Sequence, residues 1–232
     1  MAKIDLEINI GKLISKGAEA NIYIGKFLGY KAIFKKRVPK PYRNPKFDLN
    51  LRVRRTINEA KMLHYARREG IPVPTLFYFD IKETLIVMEF IEGSLLSLSV
   101  KNLPINVLKE IFLKTGEIMG KLHSNQIVHG DFTTSNIINT GKELIVIDFG
   151  LSKKSPELEE HAIDMHLLLR SLESTHYNIV DYVRDYVIEG YGNIIGVNYS
   201  KKVYERMLEI RRRGRYVKER RKRFENIFRY EK

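Results

Sequence analysis

Two short stretches constrain this chain more than anything else in it. Ile127 to Asn136 reads I-V-H-G-D-F-T-T-S-N, and Ile145 to Gly150 reads I-V-I-D-F-G. Each opens on β-branched residues, the pattern of a short buried strand, and each carries an aspartate just beyond that run. The segment between them turns at Gly141, so the second stretch is expected to return beside the first as a β-hairpin. Asp131, Asn136 and Asp148 are thereby gathered at one end. One carboxylate to accept the proton of an attacking hydroxyl, Asp131, and two oxygen donors to hold magnesium, Asn136 and Asp148, are what phosphoryl transfer from a nucleotide requires. Either stretch alone would be modest evidence; the order and spacing of both together make the signal specific.

A histidine, then an aspartate, then an asparagine five residues on is the order of a kinase catalytic loop, and Asp-Phe-Gly is its metal-binding companion. The surrounding pattern agrees. Residues 4–34 read as strands and hairpins, three prolines interrupt regular structure between Arg37 and Lys46, and a helical pattern runs from near Leu49 to Gly70. Strands are expected at about Leu76–Ile81 and Leu85–Phe90, with Gly93 opening a linker. Beyond it the chain is mainly helical: one helix over roughly Asn106–Ser124 and at least three more in residues 158–232. The fold class expected is α+β, a two-lobe protein-kinase-like fold. Residues 1–90 form a strand-rich lobe with one helix, and residues 91–232 a minimal helical lobe. That second lobe has no long activation segment, because only about eight residues separate Gly150 from the helical run at Leu158 and no A-P-E follows.

The first lobe of such a fold needs a lysine for the nucleotide phosphates and a helical glutamate to fix it. The strand A-I-F-K ends at Lys35, and Glu59 sits in the following helix. Lys36 is a rival, but alternation places Ala32 and Phe34 on one face and Ile33 and Lys35 on the other. A loop over the phosphates is expected at Ser15, Lys16, Gly17, Ala18, Glu19 and Ala20. Here only the middle glycine of a G-x-G-x-x-G pattern remains, and backbone N–H groups would do the binding. Met88 is expected behind the adenine, with the carbonyl of Glu89 and the amide of Ile91 bonding its edge. His129 is read as a packed structural residue, His123 as the end of a helix, and Asp164 as a cap on the catalytic-loop backbone. None of the histidines has the spacing of a metal site.

Composition narrows the class. No apolar run approaches the roughly 18 residues of a membrane span, the N-terminus has no signal-peptide core, and cysteine is absent, which excludes disulfides and thiolate metal sites. A cytoplasmic protein with no membrane contact is the expectation. The net charge of +13 is concentrated: residues 35–55 hold nine Lys/Arg against one Asp, and residues 211–232 hold eleven against three Glu. Two such blocks point to a polyanion or an acidic partner, beside the plainer reading of solvated surface.

The residues converge on a resemblance. S-K-G-A-E-A at 15–20, F-K-K-R-V-P-K-P-Y-R-N-P at 34–45, R-R-T-I-N-E-A at 54–60, H-G-D-F-T-T-S-N at 129–136, I-D-F-G-L-S at 147–152 and the basic R-R-R-G-R at 211–215 resemble the small atypical kinase/ATPase of the KEOPS complex. That complex makes threonylcarbamoyl-adenosine in tRNA. The resemblance implies ATP and Mg2+ as cofactors and the threonylcarbamoyl-transferase and other KEOPS subunits as partners. It further implies ATP hydrolysis and Ser/Thr phosphorylation as activities, and tRNA contact through the complex. Arg211, Arg212, Arg213 and Arg215 are the residues offered for tRNA or partner binding. Gly130 replaces the arginine of regulated kinases, and Thr133 stands where a phosphate-binding lysine is common. Two rival readings are a small-molecule phosphotransferase with the same loop motif and a degenerate kinase that only binds tRNA or partners.

Overall fold

In a computed structural model the backbone is described for residues 8–229, and the side chains of Ile8, of Asn102 and of residues 214–229 lie outside the description. The strand expected to begin at residue 4 therefore falls partly outside it. Contacts divide the chain into two compact units, residues 1–103 with 134–154, and residues 104–133 with 155–232.

The first unit is built on an antiparallel sheet. Its strands are β1 (Ile8–Asn9), β2 (Leu13–Lys16), β3 (Ala20–Phe27), β4 (Tyr30–Arg37), β5 (Leu76–Asp80) and β6 (Leu85–Glu89), in the order β1-β3-β4-β6-β5 with β2 also on β3. Ile22 pairs with Lys35 across β3–β4, and Lys35 with Ile86 across β4–β6. Alternation then sends Ala32 and Phe34 into a core with Phe27, Leu85 and Val87, and turns Lys35 to the opposite face. Helix α1 (Pro45–Arg68) starts four residues before the expected Leu49. The Asn44 side chain accepts hydrogen bonds from the N–H groups of Lys46 (3.1 Å) and Phe47 (3.3 Å), and Pro45 follows at the first helical position. There a proline forfeits no bond and its fixed φ suits the helix. The third proline of the insert is thus a helix start rather than a breaker.

Gly93 leads directly into β7 (Ser94–Leu95), which pairs with β9 (Ile137–Asn139). A Cβ at Gly93 would come 2.6 Å from the Asn139 carbonyl oxygen, so only glycine lets the two backbones approach. Helix α2 (Leu96–Ser99) follows. The expected hairpin at Gly141 is present: β9 pairs with β10 (Leu144–Val146), Ile137 opposite Val146.

The second unit is helical: α3 (Ile105–Ser124), α4 (Leu158–Thr175), α5 (Val180–Ile195) and α6 (Val197–Arg229), with strand β8 (Ile127–Val128) beyond α3. Gly116 and Gly190 let α3 and α5 meet closely. A Cβ at Gly190 would lie 2.0 Å from the Leu113 carbonyl oxygen, and one at Gly116 2.1 Å from that of Val187. Helix α6 carries the second basic block, which begins at Arg211. Helix α4 begins at Leu158, the expected end of the short segment after Gly150. Among the described residues no helix is long and apolar enough to cross a membrane.

Candidate active site

In the first unit four charged side chains meet. Lys35 on β4 places its Nζ 2.7 Å from Glu59 Oε1 and 2.6 Å from Asp148 Oδ1, and Arg37, two residues further on the same strand face, donates from Nη2 to Glu59 Oε2 at 2.5 Å. The Lys35, Glu59 and Arg37 side chains are 8%, 0% and 3% exposed, whereas that of Asp148 is 47% exposed. A cluster with two cations and two carboxylates, three of them shut off from water, survives burial because each charge is paired. Burial alone would lower the Lys35 pKa, but Glu59 and Asp148 outweigh it and hold the ammonium above its ordinary 10.5. Burial likewise opposes ionisation of Asp148, and Lys35 beside it keeps the carboxyl below its ordinary 3.8. The rival Lys36 points away and pairs at 2.8 Å with Glu83 on the surface.

Asp148 stands at φ +65°, in the left-handed region that non-glycine residues seldom adopt. Its Oδ1 also accepts from the Gly150 N–H at 3.3 Å. Gly150 packs against the cluster: a Cβ there would meet Arg37 Nη2 at 2.8 Å, so the guanidinium would have to shift. Beside Asp148, the N–H of Ile147 donates to the Asn136 carbonyl at 2.9 Å. Asn136 and Asp148 therefore flank the open end of the β9–β10 hairpin. Two protein oxygen donors, with phosphate oxygens and water for the rest, suit Mg2+, which keeps much of its hydration. Among the described residues there is no group of three or more His, Asp or Glu that could hold a metal by itself.

The expected phosphate loop is the β2–β3 turn. Ser15 and Lys16 end β2, Gly17 donates to the Ala20 carbonyl at 2.9 Å, Ala18 is exposed and Ala20 opens β3 in the core. Glu19 turns its carboxylate onto Arg55 of α1 and, at 3.6 Å, onto Arg37. Met88 is buried at the end of β6. The Glu89 N–H donates to the Thr75 carbonyl at 2.9 Å, its carboxylate accepts from the Thr75 hydroxyl at 2.7 Å, and Ile91 is half-buried just beyond. Sequence reasoning missed Arg37 and Arg55. The alternation that selects Lys35 also selects Arg37, so that signal was available; Arg55 left none.

In the second unit the loop after β8, expected to carry the catalytic aspartate, is held from α4. Asp164, fully buried, accepts from the N–H groups of His129 (2.6 Å) and Gly130 (2.8 Å), with His123 Nε2 at 3.3 Å. Burial opposes ionisation, but the hydrogen bond from His123 and its neighbours keep this carboxyl below its ordinary range. The expected cap is thus in place. His129 accepts the Asp131 N–H on Nδ1 at 3.2 Å and meets the Phe132 ring edge-on, so it fixes the loop as a packed residue. His123 does more than close a helix: its ring stacks on His161 at 4.1 Å and its Nδ1 lies 2.9 Å from the Tyr191 hydroxyl.

Of the four tail arginines, Arg211 pairs with Glu173 at 2.7 Å and Arg213 lies 4.0 Å from Glu159. Arg212 is exposed, and the Arg215 side chain lies outside the described residues.

The sequence profile described as RIO domain matches residues 26–182. The KEOPS complex subunit Bud32 of Pyrococcus abyssi is 42% identical over 211 residues, covering 88% of this chain and 96% of that protein. A probable bifunctional tRNA threonylcarbamoyladenosine biosynthesis protein of Methanothermobacter thermautotrophicus is 40% identical over 205 residues, 88% of this chain but 36% of the longer protein. Among solved structures, the Rio2 kinase–ADP/Mg2+–phosphoaspartate complex from Chaetomium thermophilum matches with a TM-score of 0.63 at 17% identity, over 90% of this chain and 72% of that one. At that identity the likeness is one of fold: a kinase-like architecture with an antiparallel sheet and a helical part.

Proposed function

From the premise that the chain belongs to the RIO domain family, we propose that it is an ATP- and magnesium-dependent atypical serine/threonine kinase with ATPase activity. Its setting is the KEOPS complex, where it serves the formation of threonylcarbamoyladenosine in tRNA. The observation that carries the reading is Lys35 Nζ held between Glu59 and Asp148 in a buried ion cluster. A lysine so placed, charged at any physiological pH, is ready to take the α and β phosphates as its new counter-charge. Asn136 and Asp148 would hold Mg2+, which when bound neutralises charge on the β and γ phosphates. The turn from Ser15 to Ala20 offers backbone N–H groups to the phosphates. Met88, Glu89 and Ile91 would shape and bond the adenine site. Asp131, on a loop fixed by Asp164, would accept the proton of the nucleophile, water in hydrolysis or a hydroxyl in phosphorylation.

The partner is the complex's threonylcarbamoyl-transferase subunit. The methanogen relatives support this, because in them the matching segment is one part of a bifunctional protein for the same modification. The protein acts in the cytoplasm, without a membrane. The basic block of α6 touches tRNA phosphates within the assembled complex, with Arg212 exposed and Arg211 and Arg213 exchanging their carboxylate neighbours for phosphate. Deleting residues 211–232 should then weaken tRNA binding by the complex and make log K fall less steeply with log salt; unchanged affinity and slope would leave the tail a structural role only.

The function as a whole is tested by ATP turnover of the chain alone, with the transferase subunit, and with tRNA added. Magnesium-dependent turnover that responds to both additions is expected. Turnover indifferent to both, but stimulated by a small-molecule acceptor, would return the assignment to a metabolite phosphotransferase. Binding without turnover would return it to a degenerate kinase.

A further inference from the structure

The first basic block dissolves on inspection. Of its nine cations, six are paired within the chain: Lys35 and Arg37 with Glu59, Lys36 with Glu83, Arg43 and Arg52 with Asp48, and Arg55 with Glu19. Among the described residues Arg54 makes no ion pair, and neither does Lys61 one helical turn-pair further along α1. Residues 51, 54, 55, 58 and 61 recur at helical spacing and form a stripe on the face of α1 opposite the buried Thr56, Ala60 and Leu63. That stripe is one wall of a cleft of about 500 Å³. The other wall is the segment from Gly150 to Lys153, just after Asp148.

The lining has a consistent chemistry. Arg54 and Lys61 bring two cations that make no ion pair among the described residues, beside Lys153 and beside Arg55, which already answers Glu19; no lining residue is acidic, and none is aromatic. Leu51, Ile57 and Leu151 add an apolar floor, with Leu151 52% exposed. A single-stranded nucleic acid would want aromatic faces for its bases, and a lone phosphate would not use the leucines. We propose that this cleft docks an acidic–apolar segment of a protein partner, its carboxylates on Arg54 and Lys61 and an aliphatic side chain against Leu151. Charge complementarity and apolar contact are then supplied by one occupant.

Such an occupant would act on both walls at once. They are already joined by the Asn58 Nδ2–H, which donates to the Ser152 carbonyl at 2.6 Å. Gly150 separates the cleft from the ion cluster: a Cβ there would lie 3.2 Å from Asp148 Oδ1 and 3.6 Å from Glu59 Oε2. A segment clamping α1 to residues 150–153 would therefore hold Glu59 and Asp148, the two partners of Lys35, at their present spacing.

The binding is testable without any reference to ATP turnover, so its failure and a failure of the kinase assignment are distinguishable. The probe is a fluorescent peptide of alternating Glu and Leu, titrated with the full chain and read by anisotropy. Combining Arg54→Ala and Lys61→Ala should weaken binding about fivefold, the sum of two modest charge contacts. Leu151→Ser should weaken it about threefold. Removing three exposed lysines elsewhere, with Lys101→Ala, Lys121→Ala and Lys142→Ala, should change it less than twofold. Equal losses from the cleft variant and the control variant, or no binding by the unsubstituted chain, would overturn the proposal. So would tighter binding of oligouridylate through the same two cations, which would make the cleft an RNA site. Far-ultraviolet circular dichroism of each variant establishes that the substitutions act on the cleft and not on folding.

Discussion

The two units each bury carboxylates, and they neutralise them in different ways. Around Lys35 formal charges answer formal charges, with two cations against Glu59 and Asp148, and one member, Asp148, stays about half exposed. Around Asp164 a single carboxylate is met by two backbone N–H groups and an imidazole, and both Asp164 and His123 have no exposed side-chain surface. The first arrangement can exchange partners, because an incoming phosphate or metal substitutes one charge for another. The second cannot exchange anything without leaving N–H groups unpaired. One unit carries ions that can be re-paired; the other carries a fixed brace that positions Asp131.

The sharpest way to break this contrast is at Asp148. Asp148→Ala should lower magnesium-dependent turnover about a thousandfold, the scale expected when a group that stabilises developing phosphate charge is removed. The urea midpoint should fall less than for Asp164→Ala, because Glu59 still answers Lys35; full turnover in a folded variant would show that Asp148 is not a metal ligand. Asp164→Ala should do the reverse. It strands the His129 and Gly130 N–H groups and costs about 3 kcal/mol of stability, read as a lowered urea midpoint. A loss below about 1 kcal/mol would mean that water replaces the brace readily.

Lys35→Ala should reduce turnover about a hundredfold while Lys36→Ala, which breaks only a surface pair, stays within twofold. Equal small effects would place the phosphate lysine elsewhere. The smallest effect concerns pH. His161 stacks on His123 and is buried beside the Ser155 carbonyl, the Tyr199 hydroxyl, Asp164 and Glu160; burial first, then His123, push its pKa from 6.5 down to about 4. The unfolded chain therefore binds this proton more readily than the native one. Stability from this residue is complete above pH 6.5 and is lost as pH falls toward 4. A loss of about 1 kcal/mol over that window is expected, and His161→Gln should flatten it. A slope unchanged by that substitution would assign the effect to other groups.

Much of this was legible in the sequence for physical reasons. Period-two alternation is strict in a strand whose two faces are both covered, so Lys35 could be told from Lys36 before any contact was known. Asp164 was legible as a cap because an acidic residue inside an apolar helical run needs buried donors. The start of α1 was misplaced because Pro45 was read as a breaker, although Asn44 before it carries the capping side chain. The pairing of Glu19 with Arg55 joins residues 36 apart in sequence, and no local pattern encodes such a contact. For the same reason the charge of residues 35–55 looked like a free basic surface, when most of it answers Glu19, Asp48, Glu59 and Glu83.

The left-handed backbone at Asp148 has a consequence for how the protein tolerates mutation. A non-glycine residue at φ +65° carries a conformational cost of about 1 kcal/mol, which glycine would not bear. Asp148→Gly should therefore relax the turn while abolishing phosphoryl transfer. A library sorted only for soluble expression would enrich glycine at this position, and one sorted for turnover would restore aspartate. The position is a local antagonism between durability and activity, and the two sorts, run on the same library, would separate them.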